Sequence, residues 1–126
     1  MKHLQFIMST AHTWMRTSNY TMDWATCLSM AWEEYKSIQN FKKILIQYLR
    51  EGAVSFFYFT RNGENRPALG TLNQSMFTYE YKGGKVSKNP FIVRYWDFER
   101  KGYRSFDIRR FNYGVEILTN VSIEAA

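Results

Sequence analysis

The hydrophobic period of this chain changes once, near Gly52, and that change limits the fold more than any single motif does. Upstream, apolar residues recur at three- and four-residue spacing. Leu4, Ile7, Met8, Ala11, Trp14 and Met15 form one stripe. Trp24, Cys27, Leu28, Ala31, Trp32 and Tyr35 form a second, and Phe41, Ile44, Leu45, Tyr48 and Leu49 continue it. Each is the apolar face of a helix. Thr17-Ser18-Asn19 separates the first from the second. Thr21 or Asn19 is expected to cap the second helix, with Asp23 in its first turn. Residues 21–50 fit two helices with a kink or one long helix, and Gly52 is a natural stop. Downstream the pattern is that of strands. Val54-Ser-Phe-Phe-Tyr-Phe-Thr60 is β-branched and aromatic, and Asn62-Gly63 is a strong hairpin signal. The return strand, Arg66 to Leu72, holds Pro67, so it is expected at an edge or after the proline. A short strand over 76–81, a turn at Lys82-Gly-Gly-Lys85, a hairpin of 91–99 and 103–110 around Lys101-Gly102, and a last strand over 115–123 follow. The expectation is an α+β fold: two or three N-terminal helices over residues 1–52, then a small antiparallel β-barrel over 53–126, as one compact unit.

A chain of 126 residues supports one real core. Aromatics at 18% argue against disorder. Cys27 is the only cysteine, which excludes an internal disulfide framework and a cysteine-rich metal site. The apolar run at the start is too short for a signal peptide, and none approaches the ~20 residues of a membrane helix. A reducing, cytoplasmic setting in a bacterial host cell and no membrane contact are the expectations. Net charge is +6. It is concentrated in residues 82–110, where nine Lys and Arg face three acids, Asp97, Glu99 and Asp107. Such a cluster suits a phosphate-rich partner, or else is a solvated face.

Catalytic and metal constellations are poor. His3 and His12 lie nine residues apart on one helix. Ser9 lies three residues before His12, but no carboxylate of that helix could orient the pair. No enzyme activity, metal or cofactor is expected. The stretch Phe91–Phe111 is the remaining candidate. Strand alternation puts Ile92, Arg94, Trp96 and Phe98 on one face and Phe91, Val93, Tyr95, Asp97 and Glu99 on the other. On the return strand, Arg104, Phe106, Ile108 and Arg110 share a face that is core-directed in its middle and basic at its ends. Arg94, Arg104, Arg109 and Arg110 are therefore candidate phosphate ligands, and Trp96 and Tyr103, with Tyr95, are placed to stack on bases. The competing reading is cross-strand packing with Arg–Asp pairing.

Tyr95-Trp-Asp-Phe-Glu-Arg-Lys-Gly-Tyr-Arg-Ser-Phe106, with Ala68-Leu-Gly-Thr-Leu-Asn73, resembles a small SH3-like or Sm-like barrel family related to the WYL domain, found in Bacteroidetes and their phages. The resemblance covers roughly residues 53–112. In WYL domains the segment ends in Arg-Thr-Phe with an Arg four residues later, and Arg104, Ser105, Phe106 and Arg110 match. The Trp-Tyr-Leu tripeptide falls on Phe91-Ile92-Val93 here. The resemblance implies an SH3/Sm-like barrel that binds nucleic acid or a nucleotide-like anion, from a phage or mobile element. Sm-like barrels pair edges, so a homo-oligomer through the strand after Pro67 is an expectation of the fold class. The competing function is a protein-interaction module, such as an inhibitor of a host defence or replication protein. Trp14, Trp24 and Trp32 would be its anchors, if they are not core residues.

Overall fold

The computed structural model describes residues 2–77 and 89–122. Its elements are α1 (Lys2–Thr17), α2 (Trp24–Glu51), β1 (Val54–Phe59), β2 (Asn65–Thr71), a 3-10 turn at Gln74–Met76, β3 (Ile92–Asp97), β4 (Gly102–Asp107) and a 3-10 turn at Ile108–Arg110. They form two compact units. The first comprises Met1–Phe41 with Lys88–Pro90, and the second Lys42–Ser87 with Phe91–Ala126. The change of unit falls inside α2, before the change of period at Gly52. No described helix is long and apolar enough to cross a membrane.

In the first unit, α1 ends in a left-handed turn. Asn19 takes φ 56, its amide bonds the Arg16 carbonyl at 3.0 Å, and the Tyr20 amide reaches the Met15 carbonyl at 2.9 Å. This paired closure satisfies the last carbonyls of the helix, and asparagine tolerates the conformation better than most residues. The cap of α2 is Asp23 rather than Thr21 or Asn19: its carboxylate accepts from the Thr26 amide at 2.8 Å. Those bonds with Thr26 hold the Asp23 carboxyl below its usual range. Asn19 is instead committed to closing α1. From Trp24 the helix runs unbroken through Ser37–Asn40, which settles the alternatives for 21–50 in favour of one helix. The two helices meet through Ile7, Ala11, Cys27 and Ala31, ringed by Phe6, Met15, Met22, Trp24, Leu28 and Tyr35. The two alanines let the backbones approach, and Cys27 is buried as a small apolar filler.

The second unit begins with the last turns of α2, which bury Leu45 and Leu49. Thr71 ties the helix end to the sheet. Its hydroxyl lies 3.0 Å from the Leu49 carbonyl and 2.9 Å from the Gly52 carbonyl, and it accepts from the Asn73 amide. The Leu72 amide donates to the Leu49 carbonyl as well. Carbonyls that end a helix without intrahelical partners are thus satisfied inside the fold.

The sheet is antiparallel, in the order β1-β2-β3-β4. Asn62-Gly63 turns β1 into β2 as expected, with Gly63 at φ 81. Pro67 lies inside β2, an internal strand by order, against the expectation of an edge or a later start. The register explains it: Pro67 pairs with Phe57, while β3 reaches only Gly70 and Thr71. No neighbour on that side asks Pro67 for an N–H. Gly70 is required by packing, because a Cβ there would run into the Tyr95 ring.

Three expected strands change. Met76 closes a 3-10 turn capped by the Asn73 side chain, so no strand begins there. Residues 78–81, with the Lys82–Lys85 turn, lie outside the described residues. The second hairpin strand ends at Asp107, whose carboxylate accepts from the Arg109 amide and starts a 3-10 turn, so Arg109 and Arg110 leave the sheet. The last strand is replaced by irregular chain touching β1 at Tyr58↔Phe111 and Ser55↔Leu118. Those bridges set a short stretch of β1 against a returning chain twice as long, so no continuous ladder forms and the sheet is not closed by one.

Candidate functional site

The β3–β4 hairpin separates its residues by face. Phe91, Val93, Tyr95 and Asp97 are buried, and Phe106 and Ile108 complete the same wall. Phe106 stacks on Tyr58 at 4.5 Å, Phe56 crosses Tyr95 edge-on at 5.3 Å, and Phe111 stacks on Phe56 at 6.1 Å. Tyr95 therefore lies in the core rather than on a stacking surface. Its hydroxyl meets that of Tyr58 at 3.1 Å. Burial, then the bond with Tyr58, pushes the Tyr95 phenol far above its usual range.

Trp96 is on the outward face, yet only 8% exposed. Phe77 lies flat on it at 4.8 Å, and Phe98 meets it edge-on at 5.3 Å. Phe77 also stands edge-on to Tyr103 at 5.9 Å. This is a second, smaller aromatic layer, and Trp96 belongs to its interior, which removes it as an open platform for a base. Its Nε1 has no acceptor, a deficit of the order of 1–3 kcal/mol for a buried donor. Phe77 carried no signal in the sequence, because its contact comes from a chain segment far from the hairpin.

The arginines divide three ways. Arg94 is exposed, with its guanidinium 4.1 Å above the Tyr103 ring. Arg104 lies on the core side, its Nε 2.7 Å from an Asp97 oxygen. Arg109 grips Asp107 through two nitrogens, at 2.9 and 2.5 Å, and lies over the Phe91 ring. Burial pushes the Asp107 carboxyl up, but the bonds and charge of Arg109 and the charge of Arg110 outweigh it and hold it below its usual range. Arg110 is exposed at the far end of the hairpin segment. The four arginines thus do not share one surface, and two of them are matched by Asp97 and Asp107. The exposed cations of the hairpin segment are Arg94, Arg100, Lys101 and Arg110.

Asp97 organises the tip. One oxygen accepts from the Glu99 and Arg100 amides while the other holds Arg104. The Lys101 amide bonds the Asp97 carbonyl at 2.8 Å, and Lys101, not Gly102, takes the left-handed conformation at φ 56. Gly102 instead opens β4. The earlier motif is also structural: Ala68 is buried, Gly70 makes room for Tyr95, Thr71 holds the helix end, and Asn73 caps the 3-10 turn.

The geometry defines a small Sm-like antiparallel sheet module entered through a helix. The chain belongs to the WYL_2 family, described as an Sm-like SH3 beta-barrel fold, whose profile matches residues 42–112, more than half of the chain. The match starts at Lys42, where the second unit starts. No curated protein and no solved structure matches the chain.

Proposed function

We propose that this protein is a non-enzymatic binding module for nucleic acid, contacting phosphates through the outward face and tip of the β3–β4 hairpin. The observation that carries the reading is Arg94, exposed and laid over Tyr103, on the same hairpin as exposed Arg100 and Lys101. A stacked guanidinium keeps its edge donors for phosphate. Arg110 adds a cation where the segment leaves the sheet. The reading takes the sheet as an SH3/Sm-like barrel completed by residues 111–122 against β1. A phage or mobile-element origin, and work inside the host cytoplasm, rest on the family resemblance. The test is a mobility-shift titration of single- and double-stranded DNA and RNA across salt. Affinity is expected to fall steeply with salt. No measurable binding to any of the four at low salt overturns the reading.

A second reading, contact with a host protein, is favoured by the helical unit. Trp14 and Trp32 are each 37% exposed, with Leu4 and Met8 exposed on α1, while Trp24 is partly covered. Acrylamide quenching should reach two indoles there. Full protection of all of them removes this surface.

A further inference from the structure

At the other side of the sheet, register brings together four polar groups that the hairpin surface does not use. Tyr58 pairs with Arg66 across β1 and β2, and Tyr95 pairs with Arg104 across β3 and β4. The two tyrosine hydroxyls meet at 3.1 Å, so both arginines flank one buried phenol pair. The tip of the second hairpin runs toward Arg66 as well: Gly70 pairs with Asp97, and the Phe98 amide bonds the Leu69 carbonyl, so the following residues continue toward Pro67.

Two independent features there call for an acceptor. The phenol pair carries two hydroxyl protons, and the mutual bond uses one. Among the described residues neither hydroxyl has another hydrogen bond. Both rings are more than nine-tenths buried, so the second proton has no ready access to bulk water. Arg66 is half-buried and has no carboxylate partner among the described residues. A partly desolvated guanidinium is ordinarily paired. Arg104 gives only its Nε to Asp97, leaving its terminal amino groups for a further acceptor. Two guanidiniums face one carboxylate, which leaves an excess of positive charge. Burial keeps the Tyr95 hydroxyl protonated, and so able to donate, well beyond neutral pH.

We propose that Arg66, Arg104 and the Tyr58–Tyr95 hydroxyl pair form a site for a phosphomonoester, carried by a free nucleotide or by the 5′ end of a nucleic-acid strand. A terminal phosphate offers three oxygens to donors arriving from different walls, which a carboxylate or an internal phosphodiester matches less well. The site goes beyond the hairpin surface, because neither Arg66 nor Tyr58 belongs to it.

Calorimetric titration of the full chain tests it with adenosine monophosphate against adenosine, and with 5′-phosphorylated against 5′-hydroxyl oligothymidylate. At least one phosphorylated probe should bind about tenfold more tightly than its unphosphorylated match. Arg66→Gln and Tyr58→Phe should each remove that difference, while Arg94→Gln keeps it. A response to the nucleotide alone, the strand end alone, or both identifies the source and supports the site. Equal affinity within both pairs, or a preference that survives Arg66→Gln, overturns it. Should Tyr58→Phe not fold, Arg66→Gln decides alone, since its side chain is partly in solvent. Loss of binding to the hydroxyl strand at all salts would remove the hairpin reading and leave the phosphate preference to be judged by itself.

Discussion

Arg94 and Arg104 lie on the same hairpin, and the sheet assigns them opposite duties. Arg104 is on the core wall, with Tyr95 and Phe106, and meets the largely buried Asp97. Arg94 is on the outward wall and lies over Tyr103 in the open. One side chain holds the tip of the hairpin, and the other is offered to a partner. A basic aromatic segment is thus not one surface. The two-residue period of the strand decides which half of its charge is available, and the local acids then cancel part of what remains.

The comparison is broken most directly at Phe106. Phe106→Ala on the core wall should lose about 3–5 kcal/mol in urea unfolding, from a cavity among stacked rings. Ser105→Ala, next to it on the outward wall, should stay within about 0.5 kcal/mol. Equal losses would mean that the two walls are not distinct. Asp97→Ala comes next. It removes an acceptor of two tip amides and the partner of Arg104, and should lose about 2–3 kcal/mol. A neutral result would show that the tip is held by its backbone alone.

Tyr95 gives a pH test of the core wall. Its folded-state pKa is raised, so above about pH 10 the unfolded chain releases this proton while the folded chain keeps it. The Tyr95 contribution is therefore intact below about pH 10 and falls as pH rises, by about 1.4 kcal/mol per unit. Tyr95→Phe should flatten that part of the alkaline loss in urea midpoints taken between pH 9 and pH 11. An unchanged profile would place the ring in solvent. Smallest in stability is Arg94→Gln, within about 0.5 kcal/mol. Its effect should appear instead in nucleic-acid binding, as a salt slope reduced by about one. A large loss of stability with unchanged binding would reverse the duties assigned to the two arginines.

Part of the second hairpin was legible from its residues alone. Phe106 and Ile108 could be assigned to the core because Arg104 and Arg110 bracket them at period two. The first strand was ambiguous, because Phe91, Val93 and Tyr95 are as apolar as Ile92, Trp96 and Phe98. Only the partners resolve it, with Phe56 and Tyr58 covering one face and Phe77 the other. The expected stacking residues failed for the same reason. Tyr95 and Trp96 are both aromatic and both buried, one in each layer.

By itself, the sequence determined what local periodicity and turn chemistry can dictate: helices before Gly52 and strands after it, the Asn62-Gly63 hairpin, and a charge excess carried by one segment. Only the tertiary structure decided what depends on register between distant strands. It placed Gly70 under Tyr95, Thr71 at the end of α2, Asp97 beside Arg104, and Arg66 opposite Tyr58. Those pairings join residues many positions apart, and a side chain carries no local signal of the neighbour that chain closure will bring to it.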